Sequence, residues 1–198
     1  KIEGKIGRIT LSGNGGVKMD GPRPMVTANL QAGEIVIDHF LGAGSANTGK
    51  ANRTARQSQR RQGDGRWSRE AIDLSGLQAM DANINLTANR LVFQRYPFEE
   101  PRLQLSITDG VMRVEDLSGR LFKGKVGLRA TLNSRPLPGL GLSVQLQGAD
   151  INQAMRTALE MDQVTGKLDF TGQFQTAGSS QWDLVNALSG KAKIHAAN

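Results

Sequence analysis

Cysteine is absent from this 198-residue chain, so neither a disulfide nor a thiolate metal site can hold it together. That absence fits a reducing cytosol and a bacterial periplasm equally. Histidine occurs only at 39 and 195, and aromatic residues make up 5% of the chain, which leaves little for metal binding or for stacking nucleobases. No stretch approaches the roughly 20 apolar residues of a membrane-spanning helix, and no signal peptide opens the chain. It begins at Lys1, in mid-pattern and without Met, as expected of a piece of a longer protein.

What the chain does have is positive charge and glycine. The formal net charge is +7, and there are 24 glycines. The charge is concentrated: Lys50, Arg53, Arg56, Arg60, Arg61, Arg66 and Arg69 stand against Asp64 alone, a net +6 over residues 50–69. The surrounding run, residues 42–66, has no apolar residue beyond alanine and no aromatic, so it cannot help bury a core and reads as a basic flexible loop. It reads first as a solvated tether, next as a segment drawn to an anionic membrane surface, and last as a nucleic-acid site, which would want basic residues interleaved with stacking aromatics.

On both sides of this run the chain alternates apolar and polar residues with a period of two, the pattern of half-buried strands. Val26, Ala28 and Leu30 are followed by Ile35 and Ile37, and Gln31-Ala32-Gly33-Glu34 between them reads as a hairpin turn. Ile84, Leu86 and Ala88 alternate cleanly before the phase slips to Leu91 and Phe93, which predicts a bulge near Asn89 and Arg90. Leu103, Leu105 and Ile107 lead to Asp109-Gly110, a pair suited to a two-residue hairpin turn that places Ile107 opposite Met112 and Leu105 opposite Val114. Later strands carry Leu140, Leu142, Val144 and Leu146, then Val164, Leu168, Phe170 and Phe174.

Two short helices interrupt the strands. Asp150 and Gln153 form a capping-box pattern before Ile151, Ala154, Met155, Ala158 and Leu159. Ser179 or Ser180 starts the second, whose stripe Trp182, Val185, Leu188 is expected to pack on a sheet and whose end is expected at Gly190.

The segment from Gly119 to Lys125 has the spacing of a phosphate-cradling loop, but Val126 stands where a magnesium-binding hydroxyl is needed. Val126, Leu128, Ala130 and Leu132 alternate with polar or small residues, so Lys125 opens a strand and not a helix. Gly-basic-apolar triplets recur at Gly4, Gly119, Gly124, Gly166 and Gly190, which reads as a habit at strand starts. No nucleophile elbow or metal-ligand spacing is present, and Glu99-Glu100 between two prolines reads as an exposed turn rather than an acid/base pair. The expectation is a non-enzymatic chain without cofactor or metal.

Residues 67–93, "WSREAIDLSGLQAMDANINLTANRLVF", resemble a pattern of the AsmA family: Trp, a polar spacer, Asp-Leu, then Asp-Ala before an amphipathic strand. "DGVMRVEDLSGRLFKGKVGLRATLN" resembles that family's hairpin, glycine-rich bend and long strand. The stretch from Leu146 to Ile194 resembles its closing segment of helix, Gly-containing strand, Gly-Ser-Ser, helix and Leu-Ser-Gly. The resemblance covers residues 67–198 in order and residues 1–41 more loosely.

It implies a mainly β fold with a few short helices: a long antiparallel twisted sheet, curled into a groove or half-barrel, helices at its ends or on one face. Residues 1–41 would be a strand-rich part of the same domain, 42–66 a loop, and 67–198 the β-rich region. The family resemblance further implies a periplasmic body anchored to the bacterial inner membrane and serving outer-membrane biogenesis. It also implies kinship with bridge-like proteins that move phospholipid along an apolar groove. On that reading Ile84, Leu86, Leu103, Leu105, Ile107, Leu142, Val144, Leu146, Leu168, Phe170 and Phe174 line an acyl-chain groove, with Lys50, Arg53, Arg56, Arg60, Arg61, Arg66 and Arg69 against a membrane surface. The alternative is a structural domain that assists outer-membrane protein assembly through strand edges, in which those apolar residues form a closed core.

Overall fold

A computed structural model describes residues 2–6, 9–36, 67–93, 95–135, 137–160 and 164–197. The basic run 42–66 and His39 lie outside the described residues. Alternation does what the sequence dictates: among the described residues ten strands form one sheet in simple chain order. They are β1 (Ile2–Ile6), β2 (Ile9–Lys18), β3 (Met25–Val36), β4 (Asp81–Phe93), β5 (Tyr96–Thr108), β6 (Val111–Leu121), β7 (Gly124–Asn133), β8 (Gly139–Asp150), β9 (Lys167–Ala177) and β10 (Ser189–Ala197). The described residues also form three short helices at the strand ends, α1 (Gly76–Ala79), α2 (Ile151–Leu159) and α3 (Gln181–Asn186). β1 and β10 do not pair with each other, so the sheet is open and not a barrel. The β10 edge carries Lys191 and Lys193, which discourage pairing with stray strands.

Every neighbouring pair is antiparallel except β3 and β4. Here the hairpin expected at Gln31–Glu34 is wrong: β3 runs straight through it for 12 residues, beside β4 in parallel. Gly33 is not a turn but a phase slip that matches the one in β4. The pairing goes from Ala32↔Ala88 to Glu34↔Arg90, so the apolar face resumes at Ile35 and Leu91 on both strands together. A parallel neighbour requires a crossover connection between the two strands.

The same device recurs. Glu99-Glu100, expected as an exposed turn, lies inside β5; Glu100 adopts φ 49° and forms a bulge, with Pro101 buried beside it. Proline is tolerated in a strand at such a site because the ladder bond is already lost. β6 bulges between Val114 and Leu117, and β8 between Leu146 and Ala149, where Gly148 takes φ 65° and its N–H donates to Asp169 Oδ1 at 2.7 Å. Each bulge inserts one residue, so each returns the next apolar residue to the same face while adding twist and bend.

Turn chemistry sets the registers. Asp109 and Gly110 both have positive φ, the two-residue hairpin expected, and Ile107↔Met112 and Leu105↔Val114 pair as anticipated. The β6–β7 turn is made by Phe122 and Lys123, with φ 51° and 62°, residues that ordinarily avoid this region. Local contacts compensate: Tyr96 packs edge-on against Phe122 at 6.2 Å, and Lys123 Nζ donates to Asp150 Oδ2 at 2.9 Å.

Asp150 also caps α2, accepting from Gln153 N–H at 3.1 Å. The capping box is only half made, because the Phe122 carbonyl already takes the Asp150 N–H and Gln153 Oε1 is buried without a partner. The Lys123 ammonium first, and the Gln153 amide second, hold the Asp150 carboxyl below the usual carboxylate range. A folded-state pKa below the unfolded one means this contribution is complete above about pH 4 and disappears as pH falls through the folded value. We therefore expect Asp150→Ala to speed amide exchange over residues 151–154 near neutral pH, and this difference from wild type to shrink as pH falls through the lowered pKa of the folded Asp150 carboxyl.

At α3, Ser180 and Asp183 make a full capping box. Asp183 Oδ2 accepts from Ser179 and Ser180, which lowers its pKa as well. The helix ends at Asn186, and Gly190 belongs to β10 instead of stopping it.

Candidate functional site: an uncovered apolar face

The bulges and registers combine into unbroken cross-strand rows. One row runs Ala28, Ile84, Leu105, Val114, Ala130, Leu142, Phe174 over seven strands from β3 to β9. The next runs Leu30, Leu86, Leu103, Leu117, Leu128, Val144, Gly172. Ile107, Leu146, Phe170 and Leu168 follow on the same side, so all eleven residues singled out from sequence share one face.

All eleven are half-buried. Among the described residues the only buried hydrophobic ones are Ala82 and Ala149, and no large side chain is fully buried. A domain closed over a core hides Leu, Ile and Phe completely. Here they touch each other laterally, and the sheet stays a single layer. The reverse face is polar, with Asn85 donating to Asn29 at 2.8 Å and Ser106 to Glu115 at 3.1 Å. Among the described residues nothing covers the apolar side.

Several members of this face were missed. Leu117 is displaced by the Glu115-Asp116 bulge, which breaks the alternation after Val114. Phe98, hidden behind the supposed turn, lies over Gly119, where an added Cβ would come within 2.9 Å of its ring. Val126, Leu128 and Leu132 were readable as a strand, and their partners identify them as the middle of the rows.

Of the seven basic residues linked to a membrane surface, only Arg69 is among the described ones; Lys50, Arg53, Arg56, Arg60, Arg61 and Arg66 are not. The Arg69 guanidinium stacks on the Trp182 ring, 4.8 Å from its centroid. At the same end Arg23 pairs with Asp109 and holds its carboxyl below the ordinary range. No group of three or more His, Cys, Asp or Glu among the described residues could hold a metal ion, and no helix among them is long and apolar enough to cross a membrane.

The AsmA family model matches residues 3–198. Protein AsmA of Escherichia coli (strain K12) is 25% identical over 176 residues, covering 85% of this chain and 28% of that protein. The chain thus spans a little over a quarter of that relative's length. No solved structure matches significantly. An open, mainly β sheet in chain order, matched by the family along nearly its whole length, identifies the chain as a member of the AsmA family, a family of envelope proteins.

Proposed function

We propose that this chain is a non-enzymatic, periplasmic segment of an inner-membrane-anchored envelope protein, and that it takes phospholipid acyl chains along its apolar face in outer-membrane biogenesis. The observation that supports this most is the pair of continuous apolar rows, half-sheltered and without a covering layer among the described residues. Strands spaced about 4.8 Å apart put roughly 40 Å between the sheet edges, more than the ~15 Å depth of one leaflet's hydrocarbon. An acyl chain laid on this face gains about 0.8 kcal/mol per buried CH₂. The polar reverse face keeps the loaded sheet in water.

A photo-crosslinking residue placed in turn at Leu105, Gln104, Leu146 and Gln145 tests this with single-residue resolution. Labelled phospholipid is expected at 105 and 146 and not at 104 and 145, because the faces alternate. Equal labelling at all four sites contradicts the reading. A second reading, an interaction domain assisting outer-membrane protein assembly without lipid, draws on the unpaired edges, β10 being exposed along its whole length. It predicts no lipid adduct at any of the four positions.

A further inference from the structure

The stripe Trp182, Val185, Leu188 was expected to pack on the sheet, and it does not. These residues are 40%, 41% and 54% exposed, while Leu184 turns inward and its carbonyl accepts from the Thr176 hydroxyl. Thr176 belongs to the apolar face, two residues beyond Phe174, so α3 stands at the end of that face. Trp67 and Leu137, each 49% exposed, lie at the same end of the sheet. Trp182 N–H donates to the Ser68 carbonyl at 3.0 Å, and Gly178 N–H to the Pro138 carbonyl at 2.9 Å. The two tryptophans of the chain therefore lie together at one end of the sheet.

We propose that this end, presenting Trp67, Leu137, Trp182, Val185, Leu188 and Arg69, seats in the headgroup region of an anionic bilayer. The composition argues for a bilayer. Indoles are amphipathic and concentrate at the level of lipid headgroups, flanked by aliphatic side chains that reach the acyl boundary. Arg69 lies over an indole face with no carboxylate among the described residues in ion-pair range. Asp183 keeps its negative charge while capping α3. Glu70 and Asp73 lie in the same segment, so the charge that attracts anionic lipid comes from the chain leading into Trp67, where Lys50, Arg53, Arg56, Arg60, Arg61 and Arg66 face only Asp64. The inference does not depend on the acyl-chain reading. Combined with the acyl-chain reading, it brings the end of the apolar face to a membrane.

Because the only tryptophans are Trp67 and Trp182, fluorescence excited at the red edge, where Tyr96 does not absorb, reports on this patch. The 198-residue chain is mixed with phosphatidylcholine vesicles, with and without phosphatidylglycerol, and with vesicles carrying brominated acyl chains. We expect a blue-shifted emission and bromine quenching with the anionic vesicles. Val185→Ser combined with Leu188→Ser, which keeps both reporters, is expected to weaken binding about tenfold with an unchanged melting curve. Ile194→Ser, an exposed apolar residue on the edge strand, is expected to bind like wild type. Val144→Glu with Leu146→Glu is expected to keep vesicle binding even where acyl-chain capture fails, so the two readings fail separately. An unshifted emission, or a serine variant that binds as well as wild type and is released by salt to the same extent, would overturn the proposal.

Discussion

Val144→Glu together with Leu146→Glu is expected to leave the chain folded and to abolish its association with phospholipid. Both side chains sit on the apolar face, Val144 between Leu128 and Gly172 and Leu146 between Val126 and Phe170, and neither is fully buried. A glutamate there can turn its carboxylate to water at the open side. The cost is the loss of lateral apolar contact and strand preference, about 1 kcal/mol per site. In a closed core the same two charges would have no route to solvent and would unfold the domain. Circular dichroism and a denaturant titration read the fold, and acyl-chain binding reads the function. A variant that unfolds outright means the face is covered after all.

The second large effect concerns packing of backbone on backbone. At Gly124, the first residue of β7, an added Cβ would lie 2.6 Å from Ala149 N, 2.7 Å from Ala149 Cα and 2.7 Å from the Gln147 carbonyl oxygen. No rotamer change relieves a clash with main-chain atoms, so β7 and β8 must part beside the Gly148 bulge. Gly124→Ala is expected to cost about 2–3 kcal/mol. Three residues on, Gly127 points into open space on the polar face, with nothing within 4 Å of an added Cβ. Gly127→Ala is expected to be neutral or to stabilise by about 0.5 kcal/mol, since alanine restricts the unfolded chain more than glycine does. Denaturation midpoints of the two variants, differing by one methyl group each, measure how tightly the β7–β8 contact is specified. Equal midpoints would contradict this account of Gly124.

Much of the fold could be read from alternation alone, because one apolar face and one polar face impose a period of two wherever a strand is regular. The registers at Asp109-Gly110 were legible for the same reason: Asp-Gly fits two consecutive positive φ angles. What could not be read were places where a strand breaks its own period. Gly33 and Glu100 look like turns in a sequence, since the same residues that bulge a strand also reverse a chain; only the neighbouring strands, which slip in step, tell them apart. The Phe122-Lys123 turn carries no glycine signal and is held by Tyr96 and Asp150, far away along the chain. For the candidate site, the eleven apolar residues were found as separate alternations, and the pairing adds that they form continuous rows. The helical stripe of α3 was misjudged because an apolar stripe records that a face is apolar without recording what it meets. Leu184, off that stripe, is the residue that turns toward the sheet.

The glycine triplets have a plainer explanation than a habit at strand starts. Gly4 and Gly119 lie within strands, whereas Gly124 and Gly166 stand at strand beginnings. At Gly119 the missing side chain makes room for Phe98 and the Glu99 carbonyl, and at Gly190 for Phe174 and the Gln173 carbonyl. Both therefore serve close approach across the apolar face, where aromatic rings must lie flat on a neighbouring strand.

The most direct test of the open apolar face is to purify the chain from cells, extract it with organic solvent and identify bound lipid by mass spectrometry. The account predicts phospholipid co-purifying with the wild-type chain and missing from the folded Val144→Glu, Leu146→Glu variant. Wild-type chain free of lipid, together with a variant that cannot fold, would contradict it and make the apolar rows a closed core.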